Sequence, residues 1–105
     1  MNITINVVNQ KLKLLTNIGG LITGTKGFIK FRFLLDDSWD GLSVFARFAQ
    51  GDINYDMYLD ENNMVCLPDD ITSGEVKITL CGTRDNITAV TDYISLDFGE
   101  NILIL

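Results

Sequence analysis

The side chains able to do chemistry in this chain are mostly carboxylates. Asp36, Asp37 and Asp40 crowd one corner of the sequence, and Asp69 and Asp70 sit side by side in another. Oxygens gathered in this way suit a calcium ion, but the spacing is not that of an EF-hand loop. Paired carboxylates also serve glycoside hydrolysis, which needs a cleft between them and an aromatic platform for the sugar. The third use is turn formation, because an aspartate oxygen accepts hydrogen bonds from backbone N–H groups just ahead of it. We read these residues as turn formers and expect neither a metal nor a cofactor.

Other chemistry is thinner still. The chain has no histidine, which removes the commonest general base, most zinc sites and every Ser-His or Cys-His pair. Cys66 and Cys81 fall in separate strand-like runs without metal-ligand spacing. They read as free thiols, with a disulfide as the alternative. Gly19, Gly20, Gly24 and Gly27 lack the spacing of a phosphate loop. Asn2 and Asn86 head Asn-x-Thr triplets that read as chance in a chain expected to have no secretory leader. No catalytic residue is expected, and the chain does not read as an enzyme.

The elements that position these residues are strands. Ile29, Phe31, Phe33 and Leu35 alternate with Lys30 and Arg32, and the pattern then breaks at Asp36-Asp37-Ser38-Trp39-Asp40-Gly41. The chain's single tryptophan lies inside that polar turn. An indole there is expected to fold back as a plug over the core, its ring N–H bonded to a nearby carbonyl. Ile3, Ile5 and Val7 alternate upstream, and Leu12 and Leu14 follow after Asn9-Gln10, as a hairpin or one bent strand. Residues 16–27 read as a glycine-rich loop anchored by Leu21 and Ile22.

Downstream, Leu42, Val44, Ala46 and Phe48 share a face opposite Phe45 and Arg47. Ile53, Tyr55, Met57 and Leu59 are inward candidates, with Asn54, Asp56 and Tyr58 outward. Val65 and Leu67 precede the sole proline, Pro68, which ends that strand and could start a single helical turn. Val76, Ile78 and Leu80 alternate with Lys77, Thr79 and Cys81, before a turn over 82–86. Ile87 and Ala89 continue on the far side, and Ile94, Leu96 and Phe98 alternate with Tyr93, Ser95 and Asp97. The sequence closes on Ile102-Leu103-Ile104-Leu105, either a final strand in the middle of a sheet or a segment that pairs with a neighbouring copy.

Eight or nine short strands, each with one apolar side, are best buried as two facing antiparallel sheets, with a small barrel as the alternative. A chain of 105 residues makes one domain, 1–105. Its net charge of −6 argues against nucleic acid and against anionic membrane surfaces, and no run approaches the length of a membrane helix. The expected core anchors are Trp39, Phe31, Phe33, Phe48, Met57 and Leu59. The candidate interface residues are Phe45 and Tyr58, with Tyr93 on the same register, and Ile102, Leu103, Ile104 and Leu105.

Six features in order carry a family resemblance. They are the aromatic strand, Asp-x-Trp-Asp-Gly-Leu from Asp37 to Leu42, the Ala-x-Phe strand from Ala46 to Phe48, Leu59 to Asn63, Leu67-Pro68, and Cys81-Gly82-Thr83. This order, over roughly residues 28–98, resembles the immunoglobulin-like modules of virion proteins in phages and prophages of Gram-positive hosts, such as the N-terminal domain of baseplate upper proteins. Ala89-Val90-Thr91 stands where the family often has Pro-Thr. The resemblance implies an antiparallel immunoglobulin-like β-sandwich of about eight strands. It also implies a tail, baseplate or capsid-associated docking or decoration module, assembled in the host cytoplasm into the virion. Its expected partners are other virion proteins and further copies of itself. No coiled coil or receptor-binding part is expected to follow. Two other readings are a carbohydrate- or host-surface-binding sandwich and a phage accessory protein that binds a host factor.

Overall fold

A computed structural model describes residues 2–16, 29–99 and 102–104. The glycine-rich loop expected over 16–27, with its anchors Leu21 and Ile22, lies outside the described residues beyond Thr16. Nine strands are present among those described: β1 (Asn2–Val8), β2 (Lys11–Leu14), β3 (Lys30–Leu35), β4 (Ser43–Gln50), β5 (Ile53–Tyr58), β6 (Met64–Cys66), β7 (Gly74–Arg84), β8 (Ile87–Gly99) and β9 (Ile102–Ile104). They form a four-stranded sheet in the order β2-β1-β3-β6 and a five-stranded sheet in the order β5-β4-β7-β8-β9. The chain is a β-sandwich. Its path from β3 to β4 and β5, back to β6, and across to β7 and β8 switches sheets in the immunoglobulin-like manner.

Alternation fixes which side of each strand is covered. Ile3, Ile5 and Val7 of β1 and Phe31 and Phe33 of β3 are buried, as are Ala46 and Phe48 of β4, Val76, Ile78 and Leu80 of β7, and Leu96 and Phe98 of β8. The two inner faces meet at Phe31 and Phe48, whose ring centroids are 5.3 Å apart and tilted by 57°. Of the six expected core anchors, Trp39, Phe31, Phe33 and Phe48 are buried, whereas Met57 and Leu59 are half-buried and pack against the core from the sheet edge.

Several local readings are corrected. β1 pairs with β3 in parallel, from Asn2↔Lys30 to Val7↔Leu35, so the four-stranded sheet is mixed. β2, antiparallel to β1, has already brought the chain back to the starting end of β1, so β3 sets out from that end on the other flank of β1 and runs parallel to it. Asn9, in a left-handed conformation at φ 54°, turns β1 into β2 as a hairpin. Ile53 is 56% exposed, because it opens β5 at the sheet's edge and nothing covers it. The segment after Pro68 is a turn closed by Ile71 N–H donating to Pro68 O at 3.3 Å, without a helix. β7 runs on through Arg84, and only Asp85 and Asn86 turn. β9 is the outer strand beside β8, not a central one.

The far end of the sandwich is closed by Ile29, Leu67 and Ile71, all buried. Gln50 there clamps the backbone of Thr72, accepting from its N–H at 2.9 Å and donating to its carbonyl at 2.8 Å. The opposite end is closed by the corner after β3, a single 3-10 turn at Asp37–Trp39. The Asp36 carboxylate caps it, accepting from Ser38 N–H at 3.0 Å and from the Ser38 hydroxyl. Its other oxygen accepts from Asn9 N–H at 2.7 Å. Trp39 is 3% exposed, and its Nε1–H donates to the Asn9 carbonyl at 2.7 Å. The hairpin turn at Asn9 is therefore gripped on both backbone groups by one corner. The indole lies on the backbone of Gly82, where an added Cβ would come within 2.8 Å of Trp39 Cζ3 and 2.9 Å of Leu42 Cδ1. Two motifs far apart in sequence, around Trp39 and around Gly82, are thus the two halves of one contact.

Candidate functional site

The outward face of the five-stranded sheet carries the residues that look like a contact surface. Register sets its rows. Tyr58 lies opposite Phe45, Phe45 opposite Cys81, and Cys81 opposite Val90. The next row is Asp56, Arg47, Thr79 and Tyr93, and the one after it Asn54, Ala49, Lys77 and Ser95. Directly opposed residues share a face, so these rows form one continuous patch.

The aromatic positions meet as the register dictates. Phe45 and Tyr58 touch edge to face, with centroids 5.6 Å apart. Tyr58 is 70% exposed, Tyr93 56% and Val90 47%, while Phe45 is half-buried. Arg47 lies over the Phe45 ring at 5.7 Å and Lys77 over the Tyr93 ring at 4.8 Å. Arg47 also makes a two-pronged bond to Asp56, Nε to Oδ1 at 2.8 Å and Nη2 to Oδ2 at 2.9 Å. That pair lowers the Asp56 carboxyl below its ordinary value and raises the guanidinium above its own, in both cases chiefly through the hydrogen bond. Both groups are exposed, so the pair orders the surface more than it stabilises the fold.

Val90 reaches this face through a bulge in β8. Thr79 opposes Tyr93 and Cys81 opposes Val90, so Thr91 and Asp92 together face Leu80. The bulge leaves Leu80 N–H without a strand partner, and the Thr91 hydroxyl accepts from it at 2.9 Å and donates to the Asp92 carbonyl at 2.7 Å. Asp92 then points across to the other sheet, where its carboxylate accepts from Leu12 N–H at 2.8 Å and its own N–H donates to Gln10 O at 3.0 Å. The same stretch of β8 thus shapes the patch and ties β2 down.

No family model, curated protein or solved structure matches this chain. Its functional reading therefore rests on the residues themselves.

The remaining candidates are placed as follows. Among the described residues, no group of three or more His, Cys, Asp or Glu side chains is arranged to hold a metal. Asp36 is engaged as the corner's cap, whereas Asp37, Asp40, Asp69 and Asp70 are exposed. Cys66 is a free, exposed thiol on β6 and Cys81 a free, buried one on β7. Burial pushes the Cys81 thiol above its ordinary value. Alternation alone would leave Cys81 exposed on the outer face, but it is 6% exposed beneath the row of larger side chains. Ile102, Leu103 and Ile104 form the edge strand β9, paired Gly99↔Ile102, Phe98↔Leu103 and Asp97↔Ile104. Their side chains, and Leu105, lie outside what is described. Among the described residues, no helix is long and apolar enough to cross a membrane.

Proposed function

We propose that this chain is a structural module of a phage or prophage virion, in the tail, baseplate or capsid-associated shell, that works by protein–protein assembly. The observation that carries the reading is the outer face of the five-stranded sheet. Tyr58, Val90 and Tyr93 stand out from it, while its three central rows hold only Arg47, Lys77 and Asp56 as charges. In a chain of net charge −6, the acidic surface lies elsewhere and keeps molecules apart, and this face is left open to contact. Aromatic side chains with paired or ring-bound cations suit a protein interface, where Tyr and Arg are enriched. The order of motifs from the Trp39 corner to Cys81-Gly82-Thr83 supports the same assignment by resemblance. Its partners are then other virion proteins and further copies of itself, with no enzymatic step and no nucleic acid.

Mass spectrometry of purified particles, with copy number, tests this. The expected result is the protein in the virion at a copy number matching a symmetry of the tail or capsid. Its absence from purified particles, with the protein recovered only in the host-cell fraction, overturns the proposal.

A further inference from the structure

Among the described residues, β2 and β6 are the edges of one sheet and β5 and β9 the edges of the other. A sheet edge presents unpaired backbone groups, and proteins guard it with lysine, proline, a bulge or brevity. β2 carries the exposed Lys11 and Lys13, and β6 is only three residues long. β9 spans three, Ile102–Ile104. β5 is six residues long, has neither lysine nor proline, and pairs with β4 without a bulge. Its one charge, Asp56, is taken up by Arg47 of β4. Ile53 and Tyr58, at its two ends, are both exposed. The direction of its free backbone groups is fixed by β4. Leu59 N–H donates to Val44 O at 3.1 Å, one step beyond the Phe45↔Tyr58 pair. Ladder bonds alternate along an antiparallel strand, so Ile53, Tyr55 and Met57 spend their backbone groups on β4. Those of Asn54, Asp56 and Tyr58 point away from the sheet, and among the described residues nothing bonds them.

We infer that β5 pairs with β5 of a second copy about a two-fold axis, joining two five-stranded sheets into one. Directly opposed residues share a face, so Asn54, Asp56 and Tyr58 can meet only one another, as can Ile53, Tyr55 and Met57. Two registers use the strand to within one end residue. A register centred on Asp56 sets that carboxylate against its own copy, and like charges directly opposite repel. A register centred on Tyr55 avoids this. Asn54 then lies opposite Asp56 of the second copy, and their outward backbone groups exchange both ladder bonds. The Asn54 side-chain amide donates to that carboxylate, whose oxygens each accept one bond from Arg47 and have room for another. On the inner side, Tyr55 meets its own copy, and Met57 of the second copy covers the exposed Ile53. These are the non-hydrogen-bonded pairs, in which side chains come closest. The same register extends the outer face. The row Asp56-Arg47-Thr79-Tyr93 continues into Asn54-Ala49-Lys77-Ser95 of the second copy. The pairing stands on the edge alone, but that the doubled face serves assembly into a particle rests on the virion reading.

The test is sedimentation velocity of the whole protein at rising concentration, up to about 1 mM, read beside amide hydrogen exchange at the same concentrations. Salt of about 0.15 M screens the repulsion between two chains of charge −6 beyond roughly 8 Å. The expected result is a monomer–dimer equilibrium in which the Asn54 and Asp56 amides become protected as the dimer forms. The amides of Ile53, Tyr55 and Met57, already bonded to β4, should change little. Asn54→Asp, at an exposed position, sets carboxylates face to face at both symmetry-related pairs and should weaken the dimer about two- to thirtyfold. Asn54→Asp combined with Asp56→Asn exchanges the two roles and should restore it. A protein that stays monomeric throughout, or an Asn54→Asp dimer as strong as the wild type, overturns the inference. So does a double variant no stronger than Asn54→Asp alone. A dimer that leaves the Asn54 and Asp56 amides unprotected also overturns it, and its loss in Tyr93→Thr would place the contact on the sheet face instead. Particles containing a protein that is monomeric in solution would remove this inference and leave the assembly reading standing. A dimer with protected edge amides, from a protein absent from particles, would do the reverse.

Discussion

Gly82→Ala, made alone and together with Trp39→Ala, probes the contact that closes the sandwich. A methyl at position 82 would sit 2.8 and 3.0 Å from Trp39 Cζ3 and Cε3, and 2.9 Å from Leu42 Cδ1. The ring cannot slide away cheaply, because its Nε1–H is held by Asn9 O at 2.7 Å. Overpacking of this kind costs about 1–3 kcal/mol. Removing the indole costs about 3–5 kcal/mol, but it also empties the space the methyl would invade. Leu42 Cδ1, the far end of a flexible side chain, can then swing into the vacated space, so in that background Gly82→Ala should become favourable, since glycine in a strand interior is worth about 0.5–1 kcal/mol less than alanine. The cycle therefore predicts a change of sign and a coupling of about 2 kcal/mol between the two sites. Urea unfolding followed by far-UV circular dichroism measures all four corners without relying on tryptophan emission. Trp39→Leu serves the same cycle where the alanine variant leaves too little folded protein. A Gly82→Ala cost that is the same with and without the indole, or an unchanged midpoint in the native background, would refute the packing argument.

The other predictions concern the corner, the face and the thiols. The Asp36 carboxyl is held below its ordinary value, first by the Ser38 hydroxyl and then by the Asn9 N–H. It contributes stability above the ordinary carboxylate pKa and loses it as pH falls through the lower folded value. Asp36→Asn should therefore flatten the loss of stability below about pH 4 in acid titrations of the melting temperature. Val90→Thr and Tyr93→Thr, both at exposed positions, should shift stability by no more than about 0.5 kcal/mol while lowering incorporation into particles, read by denaturant melts and copy number. A thiol reagent should modify Cys66 in the native protein and reach Cys81 only on unfolding, so one fast and one denaturant-dependent reaction are expected.

The sandwich and its inner faces were legible because strand alternation is a local signal. Ile3, Ile5 and Val7, or Val76, Ile78 and Leu80, declare their side within a few residues, and all six are fully buried. Trp39 was legible as a plug from its odd setting in a polar turn, although its partners Asn9 and Gly82 were not, since nothing local links positions so far apart. The parallel pairing of β1 with β3 was hidden for the same reason: a strand's sequence does not record its neighbour's direction. The β8 bulge left a trace. Ala89 and Ile94 both lean on the core, and an unbroken alternation cannot place both there. The slip falls at Thr91-Asp92, where a hydroxyl and a carboxylate take over the bonds the ladder loses. Phe45, Tyr58 and Tyr93 were readable as off-register aromatics, but the open sheet edge at β5 was not, because only the fold sets the order of strands.

β1 lies between β2 and β3, bonded to an antiparallel neighbour on one side and a parallel one on the other. Tension along its own axis therefore has no free end to unzip. The rungs on both flanks are loaded at once, in shear, and must give way together for the strand to slide. A brick built in this way resists a tug along that strand far better than one pulled open rung by rung across its sheets.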